Sequence, residues 1–204
     1  MGLLDDARQQ GELAVHGAAR RLQDASGRRV RSAIGIDEEP PPPCNDPQAA
    51  YLPVGGAARE LHVDLPAMLV GGLASLLLQM THPLAMAGVA KYSSYQEDPL
   101  GRLYQTAQFV GVTTFGSEVD ALSVIDTVKF IHEGVNGIAP DGRPFSAKDP
   151  HLLAWVHDAE VAMFLRASEV YGPRSITPER ADQYIMEMSR VARDLGVVTP
   201  PTTK

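Results

Sequence analysis

Along most of this chain apolar residues recur at intervals of three and four, the spacing that gathers side chains on one face of a helix. The run "LPAMLVGGLASLLLQM", from Leu65 to Met80, is almost continuously apolar and predicts a buried core helix. It is shorter than the roughly 20 residues needed to cross a bilayer and contains Gly71, Gly72 and Gln79, so no membrane span is expected. In "THPLAMAGVAKYSSY" Pro83 can open a second helix, because the first helical position needs no amide donor, and His82 is expected to fix the junction. Asp98 and Pro99 form a cap-plus-proline start for a helix that runs to about Phe115 and stops at Gly116. Ser117 and Asp120 resemble a capping box, which predicts a further helix to about Asn136 with Gly137 as its stop. "PDGRPFSAKDP" contains the Asp-Gly pair of a tight turn and reads as a small hairpin or an irregular loop. Asp149 with Pro150 and Thr177 with Pro178 start two more helices, closed by Gly172 and by Gly196.

Residues 3–24 also have helical spacing, whereas "EEPPPPCNDP" cannot be helical, because each proline removes a donor and restricts its neighbour. The expected organisation is an N-terminal helix and proline-rich linker over residues 1–56, followed by one helical domain over residues 57–204. Composition agrees: 44% of residues are hydrophobic but only 6% aromatic, and β-branched clusters are few, so an all-α fold is expected. The net charge of −7 is spread along the chain, which argues against a nucleic-acid partner. Cys44 is the single cysteine, so neither an internal disulfide nor a thiolate metal cluster can form. The acidic start "MGLLDDARQQ" does not resemble a secretion signal, and a cytoplasmic location is expected.

One position departs from the packing pattern. At 100° per residue His132, in "VKFIHEGVNG", shares a face with Ala121, Ile125, Val128 and Val135, so its ring is predicted to be buried. A buried neutral imidazole needs a partner for each nitrogen, and two readings meet that need. Either the ring is a core histidine bonded to a carbonyl or hydroxyl, or it is a metal ligand. No CxxC, HExxH or spaced carboxylate pair supplies the other ligands of zinc or of a facial-triad iron, whereas haem requires only one protein ligand. Spacing alone leaves both readings open.

In "GRLYQTAQF" Arg102, Thr106 and Phe109 fall at intervals of four and three and are expected to form one stripe. Arg102 is then a solvated surface charge or, if the stripe faces a pocket, an anion-binding group. Trp155 and His157 read as core packing with a satisfied imidazole, and His16, His62 and His151 suggest no role.

The ordered set "LLLQMTHPLAMAGVAKYSSYQEDPLGRLYQTAQFV", "FIHEGVNG" and "PDGRPFSAKDPHLLAWVHDAEV", spread over about Leu73 to Pro201, resembles the latex-clearing-protein and mpaB-type oxygenases. The resemblance implies a globin-like helical core around a b-type haem, with His132, the histidine of "HxxVxG", as the proximal iron ligand. It also implies a distal side bordered by Arg102 and Thr106, from "GRLxxT", with Phe109 on the same stripe, and an activity that uses O2 on a small apolar substrate. Rubber-cleaving members carry a lysine directly before that threonine; Gln105 stands here, which points to a different substrate. Members of this type continue for several helices beyond "PPTT", so a shortened chain with an incomplete pocket wall is expected at Lys204. The alternatives are a haem-binding sensor or carrier without turnover, a cofactor-free helical protein, and a chain that needs a partner or a second copy of itself to complete its core.

Overall fold

A computed structural model describes residues 42–93 and 95–204. The helix expected over residues 3–24 lies outside the described residues. Seven helices follow among those described: α1 (Ala57–His62), α2 (Leu65–Gln79), α3 (Pro83–Tyr92), α4 (Pro99–Phe115), α5 (Glu118–Gly134), α6 (Pro150–Tyr171) and α7 (Pro178–Leu195). The one sheet among them is a two-stranded hairpin, β1 (Asn136–Ile138) antiparallel to β2 (Pro144–Ser146), so the fold is essentially all-α.

Local chemistry sets most helix starts. Asp64, Asp98, Ser117, Asp149 and Thr177 each accept a hydrogen bond from a backbone N–H of the first turn that follows, at 2.9, 2.8, 3.1, 2.9 and 3.3 Å. Pro66, Pro83, Pro99, Pro150 and Pro178 occupy the first or second helical position, where the missing amide proton costs nothing. His82 caps α3 through Nδ1, which accepts from the Ala85 N–H at 3.4 Å, and its ring lies 5.5 Å from the Trp155 ring. α1 lacks a capping side chain of its own. The carboxylate of Glu187, on α7, accepts from the N–H groups of Ala57 and Ala58 at 3.1 and 2.8 Å and completes that helix end from outside.

α7 shows the clearest amphipathic pattern: Ala181, Tyr184, Ile185, Met188, Val191 and Ala192 are all buried, at steps of three and four. They meet Tyr51, Leu52 and Leu61 from the N-terminal side, Ile125 of α5, and Val161, Phe164 and Leu165 of α6. Each large side chain in this cluster contributes roughly 1.5–3 kcal/mol by leaving water. Tyr51 and Leu52 belong to the core although they precede position 57, where sequence places the start of the helical domain. Ala50 forms a bridge to Ser117, and the Cys44 N–H donates to the Phe115 carbonyl, so this segment is pinned beside the end of α4.

α2 differs from its expected role as a wholly buried helix. The face turned to α6 is its small one, with Ala67, Gly71, Gly72 and Ser75 buried, while Leu73 and Leu77 are 51% and 67% exposed. A Cβ on Gly71 would stand 2.9 Å from the Phe164 backbone, so the glycine pair lets the two helix axes approach more closely than leucine would permit. No single helix among the described residues is long and apolar enough to cross a membrane; α2 and α3 pass that test only together, and they are bent by 103° where they meet.

The end of α5 is a second correction. Spacing carries the helix to Asn136, but it ends at Gly134, because residues 136–138 pair with residues 144–146 across the Asp141–Gly142 turn. Gly142 has φ +85°, the left-handed backbone that an Asp-Gly turn requires. The stripe predicted on α5 is present but narrow: Ala121 and Ile125 are buried and Val128 and Val135 half-buried, while Phe130 on the opposite side is 75% exposed.

Candidate functional site

α3, α4, α5, the hairpin and α6 enclose a cavity of about 460 Å³, closed on one side by Met188, Val191 and Leu195 of α7. That volume is within the usual range of small-molecule sites, about 300–1,000 Å³. Its walls are mainly aliphatic, among them Leu76, Leu84, Val89, Val128, Val156 and Val191, with Phe109 and Phe145. Arg102, Thr106, Phe109 and His132, the four residues singled out from sequence, all line it, and so does Gln105. α4 delivers Arg102, Thr106 and Phe109 because their steps of four and three put them on the same face, and α5 delivers His132 at the end of its buried stripe.

His132 is half-buried rather than sealed in the core, and it lines the cavity. No side-chain hydrogen bond acts on its ring among the described residues; burial, and next the nearby Arg102 guanidinium, hold its pKa below the ordinary imidazole value. The ring therefore stays neutral and keeps a lone pair. His62, which sequence left without a role, is the satisfied core histidine. It is fully enclosed, with Nδ1 at 2.8 Å from the Thr114 hydroxyl and Nε2 at 3.0 Å from the Tyr184 hydroxyl, and burial pushes its pKa down to about 3. The two rings differ in this: both His62 nitrogens have hydroxyl partners, whereas the His132 ring lines the cavity and has no side-chain hydrogen bond among the described residues.

Arg102 is the single lysine or arginine among the lining residues, and it forms no ion pair among the described residues. Burial pushes its pKa down, yet a guanidinium keeps its charge under ordinary conditions, so the cavity contains a fixed cation with N–H groups to donate. Thr106 lines the cavity as well, and its hydroxyl donates to the Arg102 carbonyl at 3.1 Å, one turn back along α4. Its oxygen can still accept, but its proton is already engaged, so donation into the cavity falls to Arg102.

Two further polar groups line the same space. His157 is buried, its Nε2 has no partner among the described residues, and burial pushes its pKa down to about 4. The satisfied imidazole expected at this position is not found among the described residues. Glu160, which sequence reading passed over, has its carboxyl pushed up to about 7 by burial, and it raises the already high pKa of Tyr184. Its signal in the sequence was an acid three residues after His157, the spacing that shares a face with it, whereas Asp158 between them is exposed.

No group of three or more His, Cys, Asp or Glu side chains that could hold a metal ion exists among the described residues. A haem iron brings its own four equatorial nitrogens and requires one ligand from the protein, so an imidazole without a described partner in a mainly apolar cavity suits it; His132 and His157 both line this one. The donor set therefore fits a haem and does not fit a bare tetrahedral or octahedral ion.

No significant match is found among curated proteins or among solved structures. Residues 59–204 match the family described as "ER-bound oxygenase mpaB/B'/Rubber oxygenase, catalytic domain", and the chain belongs to that family of oxygenase catalytic domains.

Proposed function

We propose that the chain is a haem b-dependent oxygenase that acts with O2 on a small, mainly apolar molecule. The observation that carries this reading is His132: an imidazole whose pKa is held below the ordinary value, without a side-chain partner among the described residues, lining a cavity whose lining includes one arginine and no lysine, in a member of an oxygenase family. When bound, the haem iron supplies the oxygen chemistry that protein side chains cannot. His132 would hold the iron through its free ring nitrogen. Arg102 would place N–H donors and a positive charge where negative charge develops on oxygen, an arrangement that a water-poor cavity makes stronger. The aliphatic walls exclude water and bind the apolar body of the substrate. Gln105, at the position of the lysine in rubber-cleaving relatives, leaves that place without a basic group.

Haem titration tests the reading. The purified chain should develop a sharp Soret band at one equivalent of haem, His132→Ala should lose it, and Arg102→Ala should keep it while slowing oxygen consumption with an apolar substrate. A Soret band unchanged by His132→Ala rejects the ligand assignment. Haem binding without oxygen consumption, across a panel of apolar compounds, would turn the assignment toward a sensor or carrier.

A further inference from the structure

The α6 wall of the cavity carries two polar groups that the proposed chemistry at His132 does not use. His157 and Glu160 stand three residues apart on α6, a spacing that puts both on one face, and both line the cavity. His157 is only 6% exposed, yet its Nε2 lacks a partner among the described residues. Beside it, the Glu160 carboxyl has no cation paired with it among the described residues, and its neighbour Tyr184 has its hydroxyl bound to His62 at 3.0 Å. An orphaned nitrogen and an unpaired carboxyl in an apolar wall are unfavourable unless something in the cavity bonds to them.

We infer that His157 and Glu160 form a head-group subsite, and that the molecule bound in this cavity is apolar with one uncharged hydroxyl. The chemistry of the pair selects that group. A hydroxyl has one proton to donate and lone pairs to accept with, so it can bond to the imidazole nitrogen and to the carboxyl at once, whichever of the two supplies the second proton. A carboxylate head only accepts, so it could take a proton from one member of the pair but donate to neither, and its charge would find no cation on this wall, since Arg102 belongs to α4. A purely hydrocarbon ligand would leave both groups unmatched. Burial favours the uncharged form of each, so the wall presents a neutral donor–acceptor pair rather than an ion pair. The inference rests on the reading of this cavity as the substrate site, but iron has no part in it.

Three probes with one carbon skeleton test it: p-cymene, cuminyl alcohol and cuminate, which differ only in a methyl, a hydroxymethyl and a carboxylate group. Their binding to the purified full chain is measured by calorimetry. Cuminyl alcohol should bind about ten-fold more tightly than p-cymene, the discrimination that corresponds to one well-made hydrogen bond, and cuminate should bind no more tightly than p-cymene. Glu160→Leu should abolish the difference between the alcohol and p-cymene while p-cymene still binds at least as tightly as to the wild type, which shows that the cavity is intact. Glu160→Gln, which keeps hydrogen-bonding atoms, should retain most of the preference. Equal affinity for alcohol and hydrocarbon, a preference that survives Glu160→Leu, tightest binding by cuminate, or no binding of any probe would each overturn the subsite. The haem ligand is tested separately: a wild-type chain that develops the Soret band, loses it on His132→Ala, and yet binds alcohol and hydrocarbon equally rejects the subsite and leaves the oxygenase reading in place.

Discussion

Replacing Glu160 by Gln should leave stability little changed near about pH 5 and raise it near about pH 8. Burial shifts this carboxyl from its ordinary 4.5 to about 7, so across that interval the folded chain binds a proton that the unfolded chain has already released. The sign follows: the stability that this group contributes is fully present below the unfolded value and is lost as pH rises through the folded one. At about 1.36 kcal/mol per pH unit, the interval from 4.5 to about 7 corresponds to roughly 3 kcal/mol. Water that enters the cavity screens part of the charge, so a gain of roughly 1–3 kcal/mol is expected for the variant at the alkaline end. Glutamine matches the volume of the acid and cannot ionise. His157 and His62, with pKa values pushed down to about 4 and about 3 by burial, act in the opposite sense, since both lose stability as pH falls below 6.5. Those two, with Tyr184, Arg102 and His132, are present in both proteins, so the difference between variant and wild type isolates Glu160. Urea unfolding of both proteins across this pH range measures it. A difference of the same size at both ends would show that the carboxyl ionises as it does in water, and the picture of a dry α6 wall would be wrong.

Three further outcomes test the packing that shapes the cavity. Gly71→Ala should lower the thermal midpoint and cost about 1–3 kcal/mol, although the same exchange in an exposed helix gains about 0.5–1 kcal/mol, because the new Cβ would stand 2.7 Å from Phe164 Cδ1 and 2.9 Å from Phe164 Cα; an unchanged or higher midpoint refutes the close approach of α2 and α6. Glu187→Ala removes the acceptor for the Ala57 and Ala58 N–H groups and should cost about 1–3 kcal/mol in urea unfolding, with Glu187→Gln losing less because one acceptor oxygen remains. Tyr184→Phe takes the hydroxyl from His62 Nε2 and should cost about 1–3 kcal/mol; equal stability would show that water reaches that nitrogen.

The parts of this fold that sequence discloses are those written in short-range chemistry. The starts of α2 to α7 each depend on a capping side chain or a proline within a few residues of the helix, and a reader of the sequence has all of that information locally. The stripe of Arg102, Thr106 and Phe109 was legible for the same reason, since a helix fixes which of its own residues share a face. The end of α5 was not legible, because the hairpin that stops it depends on pairing with residues 144–146, and a helical period continues past a strand that happens to begin in phase. Nor was the exposure of Leu73 and Leu77: periodicity says that α2 is apolar but not which side a neighbour takes, and α6 takes the side where glycine allows close approach.

Histidines show the limit most clearly. His62 and His132 look alike in sequence, and what separates them is the location of partners 52 and 122 residues away for His62 and the lack of any described partner for His132. A buried polar group is understood only through what stands opposite it, which is a long-range fact. Glu160 follows the same logic. Next to the exposed Asp158 it reads as part of a solvated edge until the cavity is seen, and then it becomes, with the His157 Nε2 that has no described partner, one of the two polar features on the α6 wall. The same reasoning applied to Thr106 moves in the opposite direction, since a hydroxyl at the expected position has its proton on the Arg102 carbonyl. Polar chemistry in this cavity therefore centres on His132, Arg102 and the His157–Glu160 pair, on three different helices, with the Ser93 hydroxyl, also without a described partner, at the end of α3; a ligand that contacts the three helices must have an apolar body long enough to reach between α4, α5 and α6.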